Sequence, residues 1–179
     1  MNNREFDRCM RRMQKGDKTG LKEIYEAYIS YIYAVIRAVV KNKENAEDLT
    51  AEFFIKLWNM ADQYKAGSGH KTWMTAIARN MAIDFMRKAG REQLTEEVPE
   101  ASAADAASGT AGSLENDVVG RMNFRETVEK LPETERQIMT MKLAGQMTFK
   151  EISAVLGIPM GTVTWKYQNS LEKLRRVGV

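Results

Sequence analysis

Two groups of residues in this 179-residue chain could do chemistry, and both suit nucleic acid. Near the carboxyl end, Thr162, Thr164, Trp165, Lys166, Gln168 and Asn169 crowd hydroxyl, amide and ammonium groups into one short stretch. Glutamine and asparagine can pair bidentately with adenine, and a lysine serves guanine or a phosphate. Nearer the amino end, Tyr64, Lys65, His70 and Lys71 precede Arg79, Asn80, Arg87 and Lys88. Basic groups so placed follow a phosphate backbone while aromatic faces or a loop pocket receive an unstacked base. His70, on a stretch that contains Gly67 and Gly69, reads as solvent-facing or phosphate-contacting, and Trp73 reads as core.

Catalytic chemistry has little to work with. Cys9 and His70 are the single residues of their types, so the chain can form no internal disulfide and no Cys/His metal site beyond that one pair. It has no glycine-rich phosphate loop of the P-loop pattern and no nucleophile elbow, and His70 has no plausible nucleophile beside it. The expectation is a protein with no metal, no cofactor and no enzymatic activity. The best apolar run, Ala34 to Val40, is broken by Arg37, against the roughly 18 uninterrupted residues of a membrane helix. The basic amino terminus lacks the apolar segment of a secretion signal. A cytoplasmic protein without stable membrane insertion is expected.

The net charge of +3 conceals a division along the chain. Residues 1 to 91 carry a balance of +6 and residues 119 to 179 one of +4, whereas residues 92 to 118 hold seven acids and no base. Two basic lobes on an acidic connector suit a polyanion partner for the lobes, and they equally suit two solvated basic faces.

Helices must position these groups. From Leu21 to Val40 the residues Leu21, Ile24, Tyr25, Tyr28, Ile32, Val35, Ile36 and Val39 recur at three- and four-residue intervals, a helical period. A break is expected at Lys41 to Asn45, with Asn45 capping the helix NAEDLTAEFFIKLW and Glu47 and Asp48 favouring its dipole. Leu49, Phe53 and Leu57 form its inward stripe, and Phe54 and Trp58 beside that stripe are more apolar surface than one core face requires. Tyr64 to Lys71 reads as a loop, followed by a helix through Trp73, Ile77, Met81 and Phe85 that ends near Gly90. The Ala-, Ser-, Gly- and acid-rich stretch that follows reads as a flexible linker. After a helix near Val118 to Lys130, LPETERQIMTMKLAG puts Pro132 at a first helical position and Gly145 at a stop. TFKEISAVLG and MGTVTWKYQNSLEKLRR, around a turn at Gly157, Ile158 and Pro159, have helix-turn-helix spacing. Ile152, Val155 and Leu156 are then expected to pack on Val163, Tyr167 and Leu174, with Thr162, Thr164, Trp165, Lys166, Gln168 and Asn169 facing outward. The fold class is all-α: two small helical domains, residues 1–90 and 118–179, joined by a flexible acidic linker, residues 91–117.

In this order, the segments resemble the extracytoplasmic-function group of RNA polymerase sigma factors over nearly the whole chain. NAEDLTAEFFIKLW looks like the second-region helix that docks on the clamp helices of the largest polymerase subunit, and TWMTAIARNMAIDFMRK like the segment that melts and reads the minus 10 element. The stretch from LPETERQ to LEKLRR resembles the fourth region, which reads the minus 35 element and touches the polymerase flap. The resemblance implies core RNA polymerase and promoter DNA as partners, together with an anti-sigma factor. Carried over by position, Asp48, Ala51, Glu52, Phe54 and Trp58 would face the clamp helices. Tyr64, Lys65, His70 and Lys71 would belong to a loop that captures a flipped base, and Arg79, Asn80, Arg87 and Lys88 would line the adjacent DNA path. Thr162, Thr164, Trp165, Lys166, Gln168 and Asn169 would face the minus 35 element. The chain departs from the family pattern in two respects. Thr164, Lys166 and Asn169 stand where TVKSRLHRAR carries three bases, and Ala51 stands where Gln is common. Residue chemistry alone also admits a two-domain helix-turn-helix regulator, or a helical adaptor that binds no DNA.

Overall fold

The computed structural model describes residues 1–67, 69–93 and 128–176. The expected linker and the helix near Val118 fall outside the described residues except at their ends. Every regular element among the described residues is helical.

Helix α1 (Asn3–Gln14) starts at a reciprocal cap: Asn2 accepts from the Glu5 amide while the Glu5 carboxylate accepts from the Asn2 amide. Its Phe6, Cys9, Met10 and Met13 are buried at helical spacing. Helix α2 (Lys18–Arg37) is capped by Asp17 and lies close on α1 at Gly20, where a Cβ would come within 2.5 Å of the Cys9 carbonyl oxygen. Its Ile24, Tyr28, Tyr31, Ile32, Val35 and Ile36 are buried as the periodicity requires, but Tyr25 stays exposed at the stripe's edge.

Helix α3 (Lys43–Asn59) begins earlier than the sequence suggested. Asn42 is the cap, its side chain accepting from the Asn45 amide, so Asn45 lies inside the first turn. A 3-10 turn at Ala61–Gln63 leads toward α4 (His70–Gln93), which runs past the expected stop at Gly90 and takes in His70 and Lys71, both expected in a loop. Helices α1 to α4 share one core, in which Ala46, Leu49, Phe53, Phe54 and Leu57 of α3 meet Met74, Ala78 and Ala82 of α4.

In the carboxyl-terminal lobe, α5 (Glu133–Leu143) has Pro132 as its N-cap rather than its first helical residue. Helix α6 (Phe149–Leu156) carries a second reciprocal cap, Thr148 with Glu151, and ends on Gly157 in the left-handed region (φ 68°), which lets the chain turn into α7 (Met160–Arg176). Ile152, Val163, Ile138, Met141 and Met147 make one small core, with Val155, Leu156 and Tyr167 packed on it. Leu174 does not join them; it packs with Leu131 and Met139. The nearly buried Glu135 carboxylate accepts from Ser170 and Lys173, which ties α5 to α7.

The two lobes touch through polar contacts. Arg136 donates through Nε to the Ala38 carbonyl at 2.8 Å and through its terminal nitrogen to the carbonyls of Glu129 and Leu131. Arg79 Nε donates to Gln137 Oε1 at 2.8 Å, and Lys71 Nζ to the Gly145 carbonyl at 3.2 Å. The Tyr31 hydroxyl, 2.7 Å from Thr75 Oγ1, also donates to the Met147 sulfur at 3.3 Å. Gly145 permits this approach, since a Cβ there would lie 2.7 Å from the Tyr31 hydroxyl and 2.6 Å from the Met141 carbonyl oxygen. Gly145→Ala should therefore part the lobes, costing about 1–3 kcal/mol of stability by overpacking. Small-angle scattering of the variant should give a larger radius of gyration than the parent; an unchanged radius and melting temperature would contradict this account of the interface.

Candidate nucleic-acid interface

Helix α3 offers a surface that alternates charge with apolar area. Asp48, Ala51 and Glu52 are exposed, as expected of a partner-facing row. Phe54, expected with them, is only 4% exposed: its ring packs edge-on against Tyr25 at 4.8 Å and against Phe53 at 5.1 Å, so it belongs to the core. Trp58 is half-buried against the same core. The large apolar side chain left outside is Ile55, 63% exposed and missed in the sequence reading. Its signal was available, because a helix whose stripe is Leu49, Phe53 and Leu57 turns position 55 away from the core. Ile55 and Glu52 edge an open groove of about 740 Å³ between α3 and α4, floored by Leu49, Met81 and Phe85.

The start of α4 differs more from expectation. His70, expected toward solvent, is 2% exposed. Its ring stacks on Phe6 at 4.5 Å, with hydrogen bonds to the Tyr28 hydroxyl and to Asn3 Oδ1. Tyr64, expected to meet a base, is 8% exposed and donates its hydroxyl to Asp7 at 2.6 Å, while Trp73 lies half-buried beside it at 5.0 Å. Helix α1 draws both rings inward, because an aromatic ring with a polar edge can be buried where that edge finds a partner. Lys65 remains exposed. Lys71 and Arg79 are half-buried and turned to the second lobe, whereas Asn80, Arg87 and Lys88 are exposed along α4. Arg87 pairs with Asp84 at 3.4 Å, a surface contact of small worth.

The helix-turn-helix sorts its six expected residues by depth. Trp165 and Gln168 are exposed, while Thr162, Thr164, Lys166 and Asn169 are half-buried. The Thr164 hydroxyl donates to the Met160 carbonyl on its own helix, which leaves less of it for a ligand. Lys166 Nζ lies 5.9 Å from the Trp165 ring centroid. With Gly161 and Glu172 also exposed, positions 161, 165, 168 and 172 form one outward row along α7. Among the described residues, no cluster of three or more His, Cys, Asp or Glu could hold a metal ion, and no helix is long and apolar enough to cross a membrane.

Burial gives His70 a measurable signature. Desolvation, with lesser contributions from Lys71 and the amino terminus, pushes its pKa down to about 4. The folded chain thus binds fewer protons than the unfolded one between the ordinary imidazole pKa and 4, so stability falls as pH drops through that window. The loss should reach about 3 kcal/mol near pH 4. A His70→Phe ring can keep the stacking on Phe6 but cannot titrate. Thermal melts from pH 7 to 4 should show this variant losing less stability than the parent, and parallel curves would refute the assignment.

Comparison with known proteins agrees with this arrangement. Residues 24–92 match the family model of sigma-70 region 2, and residues 121–174 that of sigma-70, region 4. The chain is 29% identical to the ECF RNA polymerase sigma factor SigW of Bacillus subtilis, over 93% of both proteins. It is 25% identical to the ECF RNA polymerase sigma factor SigK of Mycobacterium tuberculosis, over 96% of this chain and 92% of the relative. In fold it resembles the sigma factor RpoE of Bartonella quintana, solved with the anti-sigma factor NepR, with a TM-score of 0.71 and 22% identity over 87% of this chain and 94% of that one.

Proposed function

The chain belongs to the sigma-70 family, in its extracytoplasmic-function group of RNA polymerase sigma factors, and we propose how its exposed surfaces divide the work of such a factor. As an alternative sigma factor it binds core RNA polymerase and directs initiation at particular promoters. In our reading residues 1–90 dock on the polymerase and open the minus 10 element, residues 118–179 read the minus 35 element, and residues 91–117 connect them in the cytoplasm.

The observation that carries the docking assignment is the outer face of α3, where Asp48, Ala51, Glu52 and Ile55 stand exposed together beside an apolar-floored groove. Acidic groups around an apolar anchor suit a partner helix with basic and apolar side chains, and polymerase clamp helices are that partner here. The DNA path of the first lobe follows Lys65, Asn80, Arg87 and Lys88, with Lys71 and Arg79 joining once the second lobe moves off them. Tyr64 and His70 shape the loop from beneath and do not touch the base. Initiation factors of this kind leave bond chemistry to the polymerase, which fits a chain whose recognised surfaces are all for binding. An anti-sigma partner is also proposed, on the likeness to the sigma factor solved with NepR.

Purified chain and core polymerase should co-elute in gel filtration at moderate salt, and the complex should transcribe from promoters that core alone ignores. Combining Ile55→Asp with Glu52→Lys should weaken core binding at least tenfold while the helical circular dichroism stays unchanged, since both side chains are exposed. Full core binding by that variant would exclude the α3 face, and no core binding by the parent chain would defeat the whole reading.

A further inference from the structure

Helix α7 exposes a large aromatic residue where a polar surface would be expected. Trp165 is 62% exposed, while Val163, Tyr167 and Leu174 on the same helix pack inward. It shares the outward row with Gln168, three residues on and so on the same face. Lys166 Nζ approaches the indole face at 5.9 Å, within the range at which a cation is attracted to a ring and steadies it. An indole left in water gains by covering apolar area, and this row lies on the second helix of a helix-turn-helix, whose early residues enter the major groove. In that groove the apolar feature of a base edge is the 5-methyl group of thymine.

We infer that Trp165 is a specificity-determining residue that packs on a thymine 5-methyl group of the upstream promoter element, beside an adenine held by Gln168. The inference rests on α7 being the helix that enters the minus 35 groove, and it adds what that helix selects. Gln168 supplies a donor and an acceptor matching adenine N7 and N6, so the two neighbours select adjoining A·T pairs from opposite sides of one hydrogen-bond and methyl pattern. At Gly161 a Cβ would meet open space, which leaves room for a sugar-phosphate backbone beside the first turn of α7. Arg175 and Arg176, exposed in the last turn, supply positive charge for phosphates farther along. That charge and the neighbouring amide favour DNA over a protein surface as the occupant of this face.

The test uses the full chain bound to core polymerase. A random-sequence duplex pool is enriched for binding, and the selected upstream element is then resynthesised with each thymine replaced in turn by deoxyuridine, which lacks only the methyl. Affinity should fall about fourfold at one position, the effect of removing one buried methyl-sized group. Trp165→Ala should bind the thymine and deoxyuridine duplexes equally, with an unchanged melting temperature. Trp165→Phe should keep part of the difference, and Gln168→Ala should lose adenine preference without losing methyl sensitivity. Equal affinity for thymine and deoxyuridine at every position overturns the proposal, as does methyl sensitivity that survives Trp165→Ala. So does a Trp165→Ala variant that loses core polymerase affinity while its base preferences stay intact, which would make the indole a protein contact. A pool that enriches no upstream element removes the groove reading itself, an outcome distinct from an enriched element that ignores the methyl.

Discussion

Burial of α2 is the constraint on which the rest of the structure depends. Helices α1, α3, α4 and α5 all pack against it, and its buried side chains include two tyrosines whose hydroxyls need partners. An unsatisfied buried hydroxyl costs about 1–3 kcal/mol, so those partners are as much a part of the fold as the apolar packing. Tyr28 finds His70 and the Met1 carbonyl. Tyr31 reaches Thr75 of α4 and Met147 of the second lobe. One helix thereby sets where α4 begins and where the carboxyl-terminal lobe rests.

That demand also decides which residues remain for partners. The first lobe draws Phe54, Tyr64 and His70 inward, and each had looked available because it is an aromatic or polar residue beside an expected loop or outer face. The helix periods and the helix-turn-helix spacing were legible because each follows from side chains a few residues apart. The Asn42 cap was less so, since Asn45 has the same chemistry three residues on. The surroundings of His70 were not legible at all. They are built by Asn3, Phe6 and Tyr28, brought in by α1 and α2 from more than 40 positions away, and no local window contains them. The Asn2–Glu5 cap and the stripe Phe6, Cys9, Met10 and Met13 are local signals of α1 that went unread in the sequence. They did not announce what α1 would cover.

The same logic explains why the outer faces of α3 and α7 differ. Helix α3 spends its large apolar residues on both its stripe and the flank facing Tyr25, leaving Ile55 alone among charges. Helix α7 serves two small cores through Val163, Tyr167, Ser170 and Leu174, so its opposite row is free of packing duty. Free of that duty, the row can hold Trp165 and Gln168 without cost to the fold, and recognition can vary there while the helix-turn-helix stays intact.

Helix α4 is claimed from two sides. Lys71, Thr75 and Arg79 lie at the second lobe, one turn apart, while Asn80, Arg87 and Lys88 face outward. The lobe contacts made by Lys71 and Arg79 are single hydrogen bonds, each worth about 0.5–1.5 kcal/mol net and up to about 3 where a charge is involved. Phosphates offer the same two cations stronger, charge-assisted partners. A ligand shifts such an equilibrium by its differential affinity for the two arrangements, and polymerase and promoter together can supply that difference where neither lobe's core is disturbed. The contacts of Lys71 and Arg79 are therefore weak enough to exchange, while the buried contacts of Tyr31 and Arg136 hold the lobes more firmly.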